Sequence, residues 1–270
     1  MKQIILVLTL VALSTIALSS CSNKDNEVKP NGKTFVLVHG AWQAPYVWDA
    51  VKANLQKQGA QVITVELPGH GTDQSAPQNL TLDVYRDKVI EAMNKVNGKV
   101  ILVGHSMGGM VISAVAEKVP SKIEKLVYIA AYLPLSGQSL FDLAKTDADS
   151  QLGTALVPSA DQLTFGVKQD QIVNVFIQDG AEAVKSLVLQ NYRPEPAIPF
   201  TNAVTLTAVN YGSVDKVYIK TLQGHAVSPA LQTKMITTSG VKTVYQLNTS
   251  HSPFLSKPDS VSVLLSKIAK

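Results

Sequence analysis

The chain has 270 residues, 46% of them hydrophobic and 16% charged, enough apolar material for one well-buried core and too little charge for disorder. Its formal charge is +4, but the lysines and arginines are scattered, not gathered into blocks, which argues against a nucleic-acid partner. The only cysteine, Cys21, excludes an internal disulfide, and the length fits one globular domain with room for an inserted subdomain.

The N-terminus MKQIILVLTLVALSTIALSSC carries one cation, Lys2, then an apolar stretch from Ile4 to Leu18 and small residues up to Cys21. That is the layout of an export signal, and it is short for a spanning helix. Leu18, Ser19, Ser20 and Cys21 resemble the lipobox of bacterial lipoproteins, in which the cysteine is lipidated and becomes the first mature residue; an ordinary cleaved signal with a chance cysteine is the alternative. The expectation is a signal peptide over 1–20 and a lipidated polar tether over 21–32, since SNKDNEVKPNGK has almost nothing to bury. It places the protein at the bacterial cell envelope, facing the periplasm or on the cell surface, with the membrane reached through Cys21.

Six apolar, β-branched runs follow in order: TFVLVHG, QVITVELPG, KVILVGHS, KLVYIAAYLP, KVYIKTL and KTVYQLN. Near-continuous apolarity predicts strands covered on both faces, as in a parallel sheet. Helical patterns lie between them. VWDAVKANLQKQG stops at Gly59, TLDVYRDKVIEAMNKVNG starts at a Thr81 cap and ends near Gly98, MGGMVISAVAEKVP stops before Pro120, and PDSVSVLLSKIAK closes the chain. The alternation predicts an α/β architecture with a doubly wound, mostly parallel sheet. It lapses over about 133–200, where helical patches and turn residues read as a helical cap insertion too long to be a loop.

KVILVGHSMGG places Gly104, His105, Ser106, Met107 and Gly108 in the pattern G-x-S-x-G between a strong strand and a helix, the context of a nucleophile elbow. A sharp strand-to-helix turn holds the serine in a strained conformation, and the helix N-terminus favours developing negative charge. Ser106 is therefore the candidate nucleophile; the plainer reading is a helix-capping serine in a glycine-rich turn. The glycine of VLVHGAW, Gly40, frees the backbone to turn an amide inward, so the N–H groups of Ala41 and Met107 are candidates for an oxyanion hole. His39, His70 and His105 sit in strand-end or turn motifs and read as structural. A serine needs a general base, expected in the loop before the last helix. His251 in QLNTSHSPFLSKP fits that place, and His225, also just past a strand, is its rival.

FVLVHGAW, LPGHGTD, VILVGHSMGG, VYI with AVSPALQ, and HSPFLSKP together resemble the methylesterase and hydroxynitrile lyase family of α/β-hydrolases and its bacterial esterase relatives. The resemblance spans about 33–270 and is weakest in the insertion. It implies the α/β-hydrolase fold, with Ser106 as nucleophile, His251 as base and the amides of Ala41 and Met107 as oxyanion donors. Lyases of the family carry a threonine and a lysine where this chain has Gly40 and Ser252, which favours ester hydrolysis over cyanohydrin cleavage. The resemblance also implies an aspartate at position 224, where this chain has Gly224; no Asp or Glu occurs from Val217 to Ser250.

The acid holds the imidazole in the right tautomer and stabilises the imidazolium. Three readings stay open at this point. A neutral acceptor such as Gln223, or a water in the space left by Gly224, orients His251; an acid arrives from another strand end or from the cap; or the chain is an impaired or non-catalytic hydrolase fold. The expected activity is cleavage of a small, hydrophobic carboxylic ester through an acyl-enzyme, without metal or organic cofactor. The alternative is a ligand-binding lipoprotein with little turnover, and further behind a lactonase or hydroxynitrile lyase.

Overall fold

The computed structural model describes residues 32–270; the expected signal peptide, Cys21 and nearly all of the tether lie outside them. Nine strands occur in chain order: β1 (Thr34–Val38), β2 (Gln61–Val65), β3 (Val100–His105), β4 (Ile123–Ile129), β5 (Leu156–Pro158), β6 (Thr164–Val167), β7 (Glu195–Pro196), β8 (Lys216–Thr221) and β9 (Thr243–Leu247). Six of them form one sheet in the order β2-β1-β3-β4-β8-β9, and every pairing in it is parallel. These six are the apolar runs of the sequence. The inner strands β1 and β3 are buried at every position, whereas the edge strands β2 and β9 are partly exposed.

Strand alternation divides the core into two layers. Phe35, Leu37, Ile101, Val103, Val127 and Ile129 point to one face and pack with Trp48, Val51 and Leu55 near the first helix (Asp49–Lys57) and Val261 and Leu265 of the last (Pro258–Ile268). Val36, Val38, Val100, Leu102 and Tyr128 point to the other, under the helices Leu82–Asn94, Gly108–Lys118 and Pro229–Thr238. The Thr81 hydroxyl accepts the Val84 N–H and starts its helix as expected. Helices on both faces of a parallel sheet are the doubly wound arrangement.

The insertion carries short helices, Leu140–Ala144, Ile172–Phe176 and Glu182–Gln190 among them. It also holds a small antiparallel sheet, β5-β6-β7. Periodicity passes over that sheet because its strands are two to four residues long. Its last strand, β7, comes from the proline-rich segment that leads back to the main sheet and delivers Glu195 to the protein interior.

Candidate active site

β3 ends at His105, and the next residue, Ser106, has φ 53°, a left-handed conformation that a non-glycine residue adopts only when its surroundings impose it. They do so through hydrogen bonds on both sides of the residue. The Ser106 N–H donates to the Ile129 carbonyl at 3.3 Å, and its own carbonyl accepts from the amides of Gly109 (3.0 Å) and Tyr132 (3.1 Å). Gly104 and Gly108 let strand and helix touch: a Cβ at Gly104 would stand 2.6 Å from the Gly108 carbonyl oxygen. The helix Gly108–Lys118 then leaves from directly behind the serine. Capping is not the role of this side chain, because the helix start has no side-chain cap.

Ala41 and Met107 join Ser106 in the wall of a cavity of about 70 Å³, which is otherwise mostly apolar and closed by cap residues such as Leu140, Phe141 and Leu156 and by Phe200. Among the described residues, neither the Ala41 nor the Met107 amide donates to another group, so both are free to bind an oxygen placed beside Ser106. Gly40 packs flush against the serine. A Cβ there would lie 2.7 Å from His105 Nδ1 and 2.8 Å from Ser106 Cβ, so the place where lyases carry a threonine has no room for one here. Larger clefts open elsewhere, one of about 720 Å³ beside Glu117, but that carboxylate is already held by Thr207, Asn210 and Tyr211.

His251 follows β9 and is fully buried. Its ring lies 4.6 Å from that of His105 and 6.2 Å from that of Phe176, centroid to centroid, and its carbonyl accepts from His105 Nε2 at 3.0 Å. Gln43, just past the oxyanion loop, donates to Ser252 at 3.1 Å. The loops after β1, β3 and β9 thus converge on one spot. Both ring nitrogens of His251 are buried without a hydrogen-bond partner, so no bond joins it to Ser106 here. Burial without a paired counter-charge pushes its pKa down to about 3. The imidazole is neutral, the form a general base requires, but a weak base as it stands.

The region where the family acid is expected is filled by other groups. Gly224 is buried, and a Cβ on it would meet the Val227 carbonyl at 2.7 Å and Thr221 Oγ1 at 2.9 Å. Gln232 plugs this pocket: its Oε1 accepts from the Thr221 amide, and its Nε2 donates to the carbonyls of Thr221 and Val227. Gln223, the neutral candidate for orienting His251, points to solvent and donates to Asn248 at 2.9 Å; it does not reach the imidazole. The rival base His225 does not line the cavity beside Ser106, and its Nδ1 donates to the Asn174 carbonyl at 2.8 Å, tying the cap to the sheet.

A model of the alpha/beta hydrolase family matches residues 35–262. The chain belongs to this family. It is 31% identical over 255 residues to putative methylesterase 14, chloroplastic, of Arabidopsis thaliana, a match covering 88% of this chain and 72% of that protein. It is 30% identical to methylesterase 17 of the same plant, covering 90% and 94%. The crystal structure of polyneuridine aldehyde esterase superposes with a TM-score of 0.77 at 25% identity, covering 88% of this chain and all of that one. These likenesses support an esterase function.

The loop after β1 is held by groups that no short motif announces. Trp42, next to Ala41, has φ 59°, and its amide donates to Glu195 Oε2 at 2.8 Å. Glu195, fully buried on β7, also accepts from His70 Nε2 at 2.7 Å and from the Tyr85 hydroxyl at 3.4 Å. His70 donates through its other nitrogen to the Pro68 carbonyl, so both nitrogens carry protons. Burial alone would lower its pKa, but the charge and hydrogen bond of Glu195 outweigh it and the net shift is upward. His39 and His105 are neutral, driven well below the usual value first by burial. The expectation that His39, His70 and His105 are structural agrees with these contacts, and for His70 the role is specific: a buried ion pair that anchors the loop after β1.

Proposed function

We propose that the chain is a serine hydrolase that cleaves a small, hydrophobic carboxylic ester through an acyl-enzyme. The observation that carries this reading is Ser106 itself, held at φ 53° in the wall of a small apolar cavity beside two free amides. Ser106 Oγ attacks the ester carbonyl while His251 takes its proton. The amides of Ala41 and Met107 receive the oxyanion, and His251 returns the proton to the departing alcohol. Water then repeats the sequence on the acyl-enzyme. The relatives named as methylesterases support a small alcohol as the leaving group, and the closed apolar wall of the cavity favours a short acyl part.

A serine-directed fluorophosphonate tests this directly. Stoichiometric labelling of the parent, lost in Ser106→Ala and reduced at least a hundredfold in rate in His251→Ala, is the expected result. No labelling at high probe concentration refutes the reading. A second reading, a hydrolase-like pocket that captures its ligand with little turnover, is favoured by the two unpartnered nitrogens of His251 and by Gly224; the same experiment separates the two. On the sequence alone we also propose that the protein is exported and anchored by a lipid on Cys21. Among the described residues no helix is long and apolar enough to cross a membrane.

A further inference from the structure

We propose that Asp179, supplied by the cap, is the carboxylate that orients and charge-balances His251 in place of the acid absent at Gly224. The inference rests on the serine-hydrolase reading above and adds its third member.

The placement follows from five contacts of one cap segment. Phe176 packs between Trp42 of the oxyanion loop, 5.4 Å between ring centroids, and His251, 6.2 Å. The Asn174 carbonyl accepts from His225, and Gln178 Nε2 donates to the Gln223 carbonyl at 2.6 Å, which fixes the segment to the loop after β8. Asp179 then reaches the loop after β9, where its Oδ2 accepts the amide of Ser250 at 3.1 Å. Ser250 is the residue immediately before His251. The cap thus brings a carboxylate to the base loop from the direction of the loop that ordinarily supplies the acid.

The second observation is a pair of complementary unsatisfied atoms. Asp179 Oδ1 is buried with no hydrogen-bond partner, and so is Nδ1 of His251. Buried acceptors and donors are seldom left unpaired, and an exception calls for a functional explanation. An acceptor on the cap and a potential donor on the loop it holds, both orphaned, explain each other. Among the described residues no other carboxylate at the site is available. Both oxygens of Asp147, which lines the same cavity as Ser106, are taken by the amide and hydroxyl of Ser228, and Glu195 is committed to Trp42, Tyr85 and His70. The remaining titratable neighbour of His251 is His105, which is neutral and spends its Nε2 on the His251 carbonyl.

In the reaction, the Ser106 proton moves to His251 Nε2, leaving an imidazolium whose Nδ1–H faces Asp179. The proton stays on His251, so the imidazolium lies between the Asp179 carboxylate and the oxyanion.

Asp179→Asn is the decisive variant, because its amide oxygen still accepts from the Ser250 N–H while the charge is gone. With short p-nitrophenyl esters the expected result is a loss in kcat of roughly a thousandfold to ten-thousandfold with KM changed less than about threefold. Asp179→Ala should be similarly slow and partly restored by added formate, which the Asn variant is not. If the role is only to hold the loop, Asn retains activity within about threefold of the parent, and the proposal is overturned. Independently of any variant, the phosphonate adduct of the parent should show a far-downfield imidazolium proton by NMR; its absence, with Ser106 labelled, also overturns the assignment. A parent that neither labels nor hydrolyses esters defeats the hydrolase reading itself, a result distinct from a labelled parent indifferent to Asp179→Asn.

Discussion

Glu195 offers the sharpest check on how the cap and the oxyanion loop depend on each other. Its carboxylate is fully buried and receives the charged His70, the Trp42 amide and the Tyr85 hydroxyl. Glu195→Ala removes the acceptor of all three donors and strands a histidine that donates through both nitrogens. Removing one partner of a buried pair costs about 3–5 kcal/mol. For a domain of this size each kcal/mol moves Tm by about 2–4 °C, so a fall of about 6–20 °C is expected. Glu195→Gln keeps an acceptor for the Trp42 amide and gives up the charge-assisted bond to His70, about 1.5–3 kcal/mol. The two variants should therefore rank parent, Gln, Ala in thermal unfolding. The pH dependence has a definite sign. Because the folded-state pKa of His70 is raised, its stabilisation is complete below about 6.5 and is lost as pH rises through the folded value. The gap in Tm between parent and Glu195→Ala should be widest near pH 6 and narrow in alkali. In ester hydrolysis, releasing Trp42 loosens the neighbouring Ala41 amide, with a loss of about a hundredfold in kcat for the Ala variant. A Tm within 2 °C of the parent at pH 6 would refute the claim that this ion pair secures the loop.

Two other outcomes follow from the same geometry. Gly224→Asp, which restores the residue that the family resemblance implies, should not rescue activity. Its Cβ collides with the Val227 carbonyl and Thr221 Oγ1 in a pocket already filled by Gln232, so a lower Tm with no gain in kcat is expected; a tenfold gain would show that the position accepts an acid after all. Acid stability depends on His39, His105 and His251, all held neutral with lowered pKa values. The unfolded chain binds these protons near 6.5 and the folded one does not. Stability is therefore full above about 6.5 and falls on acidification, for His251 at up to about 1.4 kcal/mol per pH unit towards about 3. Chemical denaturation between pH 7 and 4 should show this decline, less steep in His251→Gln.

The parts of the molecule legible in the sequence are those built from local patterns. The β-branched runs marked all six strands of the main sheet, Thr81 marked a helix start, and the glycines around Ser106 marked the elbow, because each signal is complete within about ten residues. Gly224 was legible as a departure, but its consequence was not: that Gln232 occupies the space depends on a helix that starts five residues later and folds back. Glu195 meets Trp42 across 153 positions and Asp179 meets Ser250 across 71. Such pairings have no period or spacing, and the insertion that supplies both acids is the segment where the family likeness is weakest. The cap's short strands escaped for a related reason, since two to four residues are too few to display an alternation.

These two acids give the cap a part beyond covering the substrate. Glu195 arrives on β7 and holds the loop after β1; Asp179 arrives ahead of the helix Glu182–Gln190 and holds the loop after β9. Arg193, between them in the chain, donates to the carbonyls of Gly71 and Asp73 and fastens the same insertion to the loop after β2. An α/β-hydrolase whose acid follows β8 carries its whole catalytic constellation on the sheet, and its cap is free to vary with the substrate. On the proposed assignment the sheet supplies the nucleophile, the base and the oxyanion amides, while the charges that steady them come from the cap. Docking of the cap and assembly of the site are then one event, so a change in the cap that alters substrate fit also alters the electrostatics of the chemical step.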